Sequence, residues 1–212
     1  MAEIPTFDAA FQDQLEALFV WRRDVRRFKT EPVPPNLIED LLRIANLSPS
    51  VGNSQPWRWV EVTTPERRQL IQKNFKAANE EAAANYDDAS TRAHYLSLKL
   101  AGLKESPVQF AVFCDVATSQ GRGLGAQTMP ETLAYSTVAS IQTFWLAARA
   151  KGLGLGWVSI IDADTVKRGL DVPESWQLIA YLCVGWPEEE HSDPELVRAG
   201  WQSRTAMQII RR

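Results

Sequence analysis

The stretch from residue 131 to residue 151 restricts the possible folds of this chain more than any other feature. Its helical pattern is apolar on too many sides for a helix at a protein surface, so other elements must cover it. Leu133–Ala150 is nevertheless too polar to span a bilayer, because several polar side chains interrupt it. These are Ser136, Ser140, Gln142 and Arg149. We therefore expect a helix at the centre of the core, at a subunit interface, or at both.

Helices and strands alternate irregularly along the rest of the chain. Apolar residues at helical spacing predict helices over residues 8–20, 34–47 and 162–170, and two more between residues 65 and 104. Apolar runs and alternating patterns predict strands over residues 57–62, 107–116, 153–161 and 177–186. A polar interruption over residues 84–94 is a candidate lid. We expect an α+β or α/β layer architecture with one sheet.

Composition narrows the class of protein. The 212 residues are 45% hydrophobic and 23% charged, which suits one domain with a large buried core. A net charge of -3 and a pI near 5.5 argue against nucleic acid or an anionic membrane as a partner. The N-terminal residues lack the basic and apolar regions of a secretory signal, so we expect a cytoplasmic protein. Cys114 and Cys183 lie in apolar runs, which predicts buried free thiols and a reducing compartment.

Several familiar catalytic motifs are missing from the sequence. Residues 121–126 (GRGLGA) formally fit a dinucleotide-binding pattern, but Thr128, Met129 and Pro130 follow in place of a helix, so we interpret them as a flexible loop. The chain has no P-loop and no G-x-S-x-G turn. Its two histidines, His94 and His191, are far apart in sequence and lack zinc-ligand spacing. We therefore expect no metal site and no hydrolase chemistry.

Three separate segments have the side chains that an anionic, aromatic ligand would need. Trp21–Phe28 carries a cluster of arginines that could clamp a phosphate, although a solvated basic face explains this segment alone better. Ser48–Trp57 offers hydroxyls and amides from a turn, and an ordinary loop is an equally good explanation. Gly152–Ser159 would let a flat ligand approach the backbone, or would permit tight packing of a helix on a strand.

Taken together, these segments resemble the nitroreductase-like flavoproteins. That family has the patterns R-R-S-x-R-x-F, P-S-x-x-N-x-Q-P-W and G-L-G-x-x-W, and here they read RRDVRRF, PSVGNSQPW and GLGLGW. The resemblance implies an α+β fold in which a mostly antiparallel central sheet lies between helices in three α/β/α layers. It also implies an intertwined homodimer with two FMN sites at the interface. Residues 1–212 would form a single FMN-binding domain with an N-terminal helical extension and a C-terminal arm.

The resemblance also assigns residues to the flavin. The phosphate, ribityl chain and pyrimidine edge would contact Arg22, Arg23 and Arg26. The second segment would contribute Ser50 and Gln55, and the third would contribute the backbone of Gly156, Trp157 and Val158. The C-terminal arm would close on the phosphate through Arg204.

Asp24 departs from the serine that ordinary nitroreductases carry at this position. With the long stretch TMPETLAYSTVASIQTFWLAARAKGLGLGWVSI and the late GWQSR, it gives the chain its strongest resemblance to the branch of the family that fragments reduced FMN with oxygen and makes 5,6-dimethylbenzimidazole, the lower ligand of cobalamin. In that branch Asp24 would act as general acid and base, and Ser159 would hydrogen-bond the flavin near its reactive N5/C4a edge. A separate flavin reductase would supply the reduced FMN. The alternatives are an NAD(P)H-dependent nitroreductase or flavin reductase, and a non-catalytic flavin-binding protein.

Overall fold

A computed structural model describes residues 4–212. Its α-helices are α1 (Ala9–Trp21), α2 (Pro35–Ala45), α3 (Pro65–Ala84), α4 (Ala89–Ser97), α5 (Thr132–Ala150), α6 (Ala163–Leu170) and α7 (Glu195–Arg198). Its strands are β1 (Trp57–Glu61), β2 (Val108–Asp115), β3 (Gly154–Val158) and β4 (Trp176–Gly185). The predicted elements are present with small shifts at their ends, and α7 and two 3-10 turns are added.

The strands form one sheet in the order β1-β2-β4-β3, and every neighbouring pair is antiparallel. Alternate residues of β2 face opposite sides, as the two-residue period of a strand requires. Phe110 and Val112 join a core cluster with residues of α2 and α5, whereas Ala111 and Phe113 join a second cluster with residues of α3 and α6. The fold is therefore three layers, helices on both faces of an antiparallel sheet, as predicted.

Helix α5 is the buried helix that the sequence predicts. Its covered side includes hydroxyl side chains, and each bonds a backbone carbonyl: Ser136 to Thr132, Thr137 to Leu133, and Ser140 to Ala45. These bonds offset the cost of burying polar groups. Its other side stays open, because Tyr135 is 57% exposed and the neighbouring α1 has no buried residue.

Strand β3 is shorter than the predicted stretch 153–161 because the chain must turn to begin α6. The Asp162 carboxylate accepts the N–H of Thr165 at 2.8 Å and caps that helix. The side chain of Asn74 on α3 bonds both the N–H and the C=O of Asp162, each at 2.8 Å. This clamp fixes the turn and leaves Ser159 exposed just beyond β3.

Both cysteines are buried free thiols, as predicted. Burial raises the pKa of Cys183 to about 12, which makes its thiol unreactive. Across residues 4–212, no helix is long and apolar enough to cross a membrane. The same residues contain no group of three or more His, Cys, Asp or Glu side chains arranged to hold a metal ion.

Candidate active site

The arginine-rich segment lies along the outer edge of β3. The N–H of Val25 donates to the carbonyl of Leu155 at 2.9 Å, and Asp24 and Leu155 form a parallel bridge. At the far end Phe28 bridges Pro187, and its ring is buried. The first and third ligand-type segments of the sequence are therefore brought together at one edge of the sheet.

Glycines in β3 make this close approach possible. A Cβ at residue 156 would collide with the backbone carbonyl of Val25, and a Cβ at residue 154 would lie 2.8 Å from a methyl group of Val25. Gly154 and Gly156 are therefore needed for packing against the chain's own arginine segment. This packing, and not access for a ligand, is the role that the structure gives to these glycines.

Asp24 is held in place by two hydrogen bonds, one from a backbone N–H and one from an arginine side chain. One carboxylate oxygen accepts the backbone N–H of Trp157 at 2.8 Å, and the other accepts Nε–H of Arg26, also at 2.8 Å. Arg26 in turn donates to the carbonyl of Lys99 at 3.1 Å. Burial raises the pKa of Asp24, while Arg26 and the Trp157 N–H act against that rise. The result is an oriented carboxyl group that takes up a proton more readily than an ordinary aspartate.

A second group of arginines consists of Arg22, Arg23 and Arg204. Their environment differs from that of Arg26. The guanidinium of Arg22 lies 4.7 Å from the ring centroid of Trp145 on α5, and Arg23 donates to the carbonyl of Ser192 at 2.6 and 3.0 Å. Burial lowers the pKa of both, and the nearby charge of Arg204 lowers it further. Among the described residues, no carboxylate lies within 4.0 Å of the three guanidinium groups. Like charges gathered in this way favour binding of an anion.

The second ligand-type segment lies near the opposite end of α5. The N–H of Val51 donates to Ser136 at 3.0 Å, whereas Arg22 lies on Trp145, nine residues further along this helix. At 1.5 Å per residue, about 13 Å of helix separates the two contacts. Ser50 and Gln55 are therefore placed by α5 at a distance from the arginine segment of the same chain.

The loop around Ser50 is held by its own hydrogen bonds. The Ser50 hydroxyl accepts the N–H of Gln55 at 3.0 Å, and the Gln55 side-chain carbonyl accepts from Gln120 at 3.1 Å. The glycine-rich stretch that begins at Gly121 packs directly on this loop, so it is a structural support. Within the described chain, Ser54 is the one buried side chain whose polar atom lacks a hydrogen-bond partner.

The candidate lid contacts the C-terminal tail. The rings of Tyr86, His94 and Tyr95 surround Trp201, with centroids 5.8, 5.5 and 6.1 Å from its ring. His94 also hydrogen-bonds the carbonyl of Ala199 at 2.8 Å. Sequence reasoning gave no role to Trp145, Trp201 or the Lys99 carbonyl, because each takes part through contacts that only the fold creates.

Comparison with known proteins agrees with this architecture. The family model described as "Nitroreductase family" matches residues 19–186. The chain belongs to the nitroreductase family. Among the curated members, the 5,6-dimethylbenzimidazole synthase of Rhodospirillum rubrum is 55% identical over 98% of each chain. A protein of the same name from Rhodobacter capsulatus is 42% identical over 97% of this chain and 99% of its own.

Solved structures of this family share the fold. An iodotyrosine deiodinase bound to FMN and 3-iodo-L-tyrosine superposes with a TM-score of 0.72, at 23% identity, over 93% of this chain and 97% of its own. A nitroreductase with bound FMN from Desulfitobacterium hafniense gives a TM-score of 0.63 at 19% identity, over 83% and 90%. The family and the layered fold predicted from the sequence are thereby confirmed.

Proposed function

We propose that this protein is a 5,6-dimethylbenzimidazole synthase, which fragments reduced FMN with oxygen to make the lower ligand of cobalamin. The observation that carries the proposal is the 55% identity, over 98% of both chains, to the Rhodospirillum rubrum protein of that name. The geometry agrees, because an oriented carboxyl group of raised pKa lies beside a cationic cluster. Asp24 supplies that carboxyl group where ordinary nitroreductases carry serine.

The residues present fit FMN. Arg22, Arg23 and Arg204 lie together without a carboxylate partner among the described residues, as a phosphate dianion requires. Two structural relatives hold FMN. We place Arg26 nearer to Asp24 and to the polar edge of the ring than to the phosphate, because its Nε–H is already bonded to Asp24. Ser50, Gln55 and the backbone of residues 156–158 remain the proposed contacts to the rest of the flavin.

Reduced FMN supplies both the electrons that oxygen accepts and the carbon skeleton of the product. Asp24 takes up and returns protons at the reacting end of the ring, and its position is fixed by Trp157 N–H and Arg26. The hydroxyl of Ser159, which is exposed just beyond β3, donates a hydrogen bond to the flavin ring. The α3–α4 pair excludes water from the reaction as a lid. No residue in this scheme requires a metal ion.

A homodimer completes the proposed site. Ser50 and Gln55 lie about 13 Å along α5 from the arginine segment of their own chain. A second copy of the chain is therefore the natural source of one of these two groups of residues at each flavin site. The exposed apolar residues suit such an interface, since α1 contributes Phe11 and Phe19 and the arm contributes Ile209 and Ile210. Residues 1–212 would thus form one FMN-binding domain with an N-terminal helical extension and a C-terminal arm. We further propose a cytoplasmic location and a separate flavin reductase as donor.

The test is a product assay with a matched pair of variants. The purified protein is mixed with FMN, reduced chemically or by a separate flavin reductase, and exposed to oxygen, and the products are followed by chromatography and mass. We expect loss of flavin and appearance of 5,6-dimethylbenzimidazole. Asp24→Asn keeps an oxygen that can accept the Trp157 N–H but loses the charge, so product formation should fall roughly 100- to 10,000-fold.

Asp40→Asn is the control, because it removes a carboxylate that is 61% exposed on α2 and should leave the rate unchanged. Quantitative return of oxidised FMN from the wild-type protein, with no benzimidazole, would refute the proposed function. An NAD(P)H-dependent reductase would then show turnover with nicotinamide, and a flavin carrier would show none.

A further inference from the structure

The C-terminal tail is attached first to the arginine segment. Arg23 donates to the carbonyl of Ser192, and Arg27 forms ion pairs with Glu195 at 2.8 Å and Glu189 at 3.2 Å. The short helix α7 follows from Glu195 to Arg198. Up to this point the path of the tail is fixed by the same segment that carries Asp24.

The tail is attached a second time at Trp201. The ring of Tyr86, between α3 and α4, and the rings of His94 and Tyr95 on α4 enclose this side chain on several sides, and the ring of Tyr86 meets it at 90°. The hydrogen bond from His94 to the carbonyl of Ala199 fixes the backbone just before it. Aromatic contacts of this geometry stabilise beyond the area they bury. Trp201 is therefore the last side chain of the tail that the rest of the fold encloses.

Every residue from 202 to 212 is exposed. Arg204 lies three residues after Trp201, and an extended chain spans at most about 3.5 Å per residue, so its backbone stays within roughly 10 Å of the anchor. The nearby charge of Arg204 is felt by both Arg22 and Arg23. The anchor at Trp201 thus determines whether Arg204 can reach the other two arginines.

We propose that Trp201, held by His94, is a positioning residue that keeps Arg204 within reach of the phosphate of reduced FMN. The inference rests on the proposed function, since it takes that phosphate as the ligand of the arginines. It adds that the aromatic cluster of Tyr86, His94 and Tyr95 contributes to phosphate recognition without touching the phosphate. Without the Trp201 side chain, the end of the tail is held to α7 by the backbone N–H groups of Trp201 and Gln202, which donate to the carbonyl of Leu196 at 2.9 and 3.4 Å, so Arg204 loses effective concentration at the site.

The effect should be specific for the phosphate group. Trp201→Ala should weaken binding of reduced FMN roughly 10- to 100-fold, the range expected for losing a charge-assisted hydrogen bond. Binding of reduced riboflavin, which has no phosphate, should change by less than about twofold. A merely structural role for Trp201 would weaken both flavins alike, so this comparison separates positioning from folding.

The experiment is anaerobic equilibrium dialysis of the full-length protein with reduced FMN and, separately, reduced riboflavin. The variants are Trp201→Ala, Arg204→Gln and the double variant, with Trp201→Phe for conservative rescue. We expect the double variant to bind FMN no more weakly than Arg204→Gln, because both changes remove the same contact. Arg43→Gln is the matched control for Arg204→Gln, since it removes a guanidinium that is 67% exposed on α2, and it should bind FMN as the wild type does. His94→Ala removes the hydrogen bond to the carbonyl of Ala199 and should give a smaller loss confined to FMN.

The outcomes separate a failure of the proposed function from a failure of the inference. A wild-type protein that binds no reduced FMN, or makes no benzimidazole from it, refutes the proposed function and the inference with it. A wild type that binds FMN and forms product, beside a folded Trp201→Ala with unchanged FMN affinity, overturns the inference alone. Equal losses for FMN and riboflavin in Trp201→Ala also overturn it. Should Trp201→Ala fail to fold, unchanged FMN binding by His94→Ala overturns the inference in its place.

Discussion

Gly156→Ala should disrupt the fold and the candidate active site together. The new Cβ would collide with the carbonyl of Val25, which is backbone and cannot rotate away. The arginine segment must then move off β3 and lose the Val25–Leu155 and Asp24–Trp157 hydrogen bonds. Overpacking costs about 1–3 kcal/mol, and the two hydrogen bonds together contribute about 2–4 kcal/mol. We therefore expect a loss of roughly 3–7 kcal/mol in the free energy of unfolding.

Thermal and urea unfolding measure this loss. For a chain of this size each kcal/mol lowers Tm by about 2–4 °C, so Gly156→Ala should melt roughly 6–28 °C below the wild type. Gly154→Ala is the comparison, because its Cβ would meet Val25 only through side-chain atoms at 2.8, 3.0 and 3.1 Å. The substitution Val25→Ala removes two of those atoms. It should therefore relieve Gly154→Ala by about 1 kcal/mol or more and leave Gly156→Ala unrelieved.

Two results would refute this account of the glycines. One is a Gly156→Ala protein within about 1 kcal/mol of the wild type, which would mean that the arginine segment does not lie against β3. The other is equal relief of both alanine variants by Val25→Ala, which would place the collision at the side chain and not at the backbone.

The remaining predictions concern the pH profile and the glycine-rich loop. Because burial raises the pKa of Asp24, product formation that needs its carboxylate should be lost, as pH falls, at a higher pH than for an ordinary aspartate. Arg26→Gln removes the opposing charge and should move that loss to still higher pH in initial-rate profiles; an unchanged acid limb would argue against Asp24 as the titrating group. Gly121→Ala combines positive φ (+81°) with a Cβ 2.7 Å from the carbonyl of Gly52, and should cost about 2–4 kcal/mol. Gly200→Ala has positive φ but open space, so calorimetry should show a cost of only about 1–2 kcal/mol, and equal costs would contradict the packing of the loop.

The layers of the fold could be predicted from the sequence because the patterns of burial are strong there. The continuous apolar run of β2 and the apolar residues on many sides of α5 predicted a strand and a buried helix, and both predictions are confirmed. The surroundings of helix α1 could not be predicted in this way. The helical spacing of its apolar residues identifies its apolar side but not the element that covers that side. Phe11 is 41% exposed in a single chain for that reason.

The candidate site was only partly accessible to sequence reasoning. The arginine segment alone was better explained as a solvated basic face, and only its combination with the glycine segment suggested a ligand site; the two segments do lie together. Gly156 packs tightly, but against the arginine segment and not against a helix, which was the alternative that the sequence left open. No local pattern could place the N–H of Trp157 on Asp24, because that contact joins residues far apart in the chain through the sheet edge. The role of Trp201 has the same cause, since its partners Tyr86 and Tyr95 lie far earlier in the chain, just before α4 and on it.

The position of the arginine segment also affects solubility. Strand β3 is an edge strand, and an edge strand with free N–H and C=O groups is a template for pairing with another molecule. Here Val25 takes up one of those groups and the carboxylate of Asp24 takes up another, so a functional segment doubles as a cap on the sheet. Variants that detach the segment should therefore lose activity and begin to aggregate together, whereas Asp24→Asn should lose activity and stay soluble.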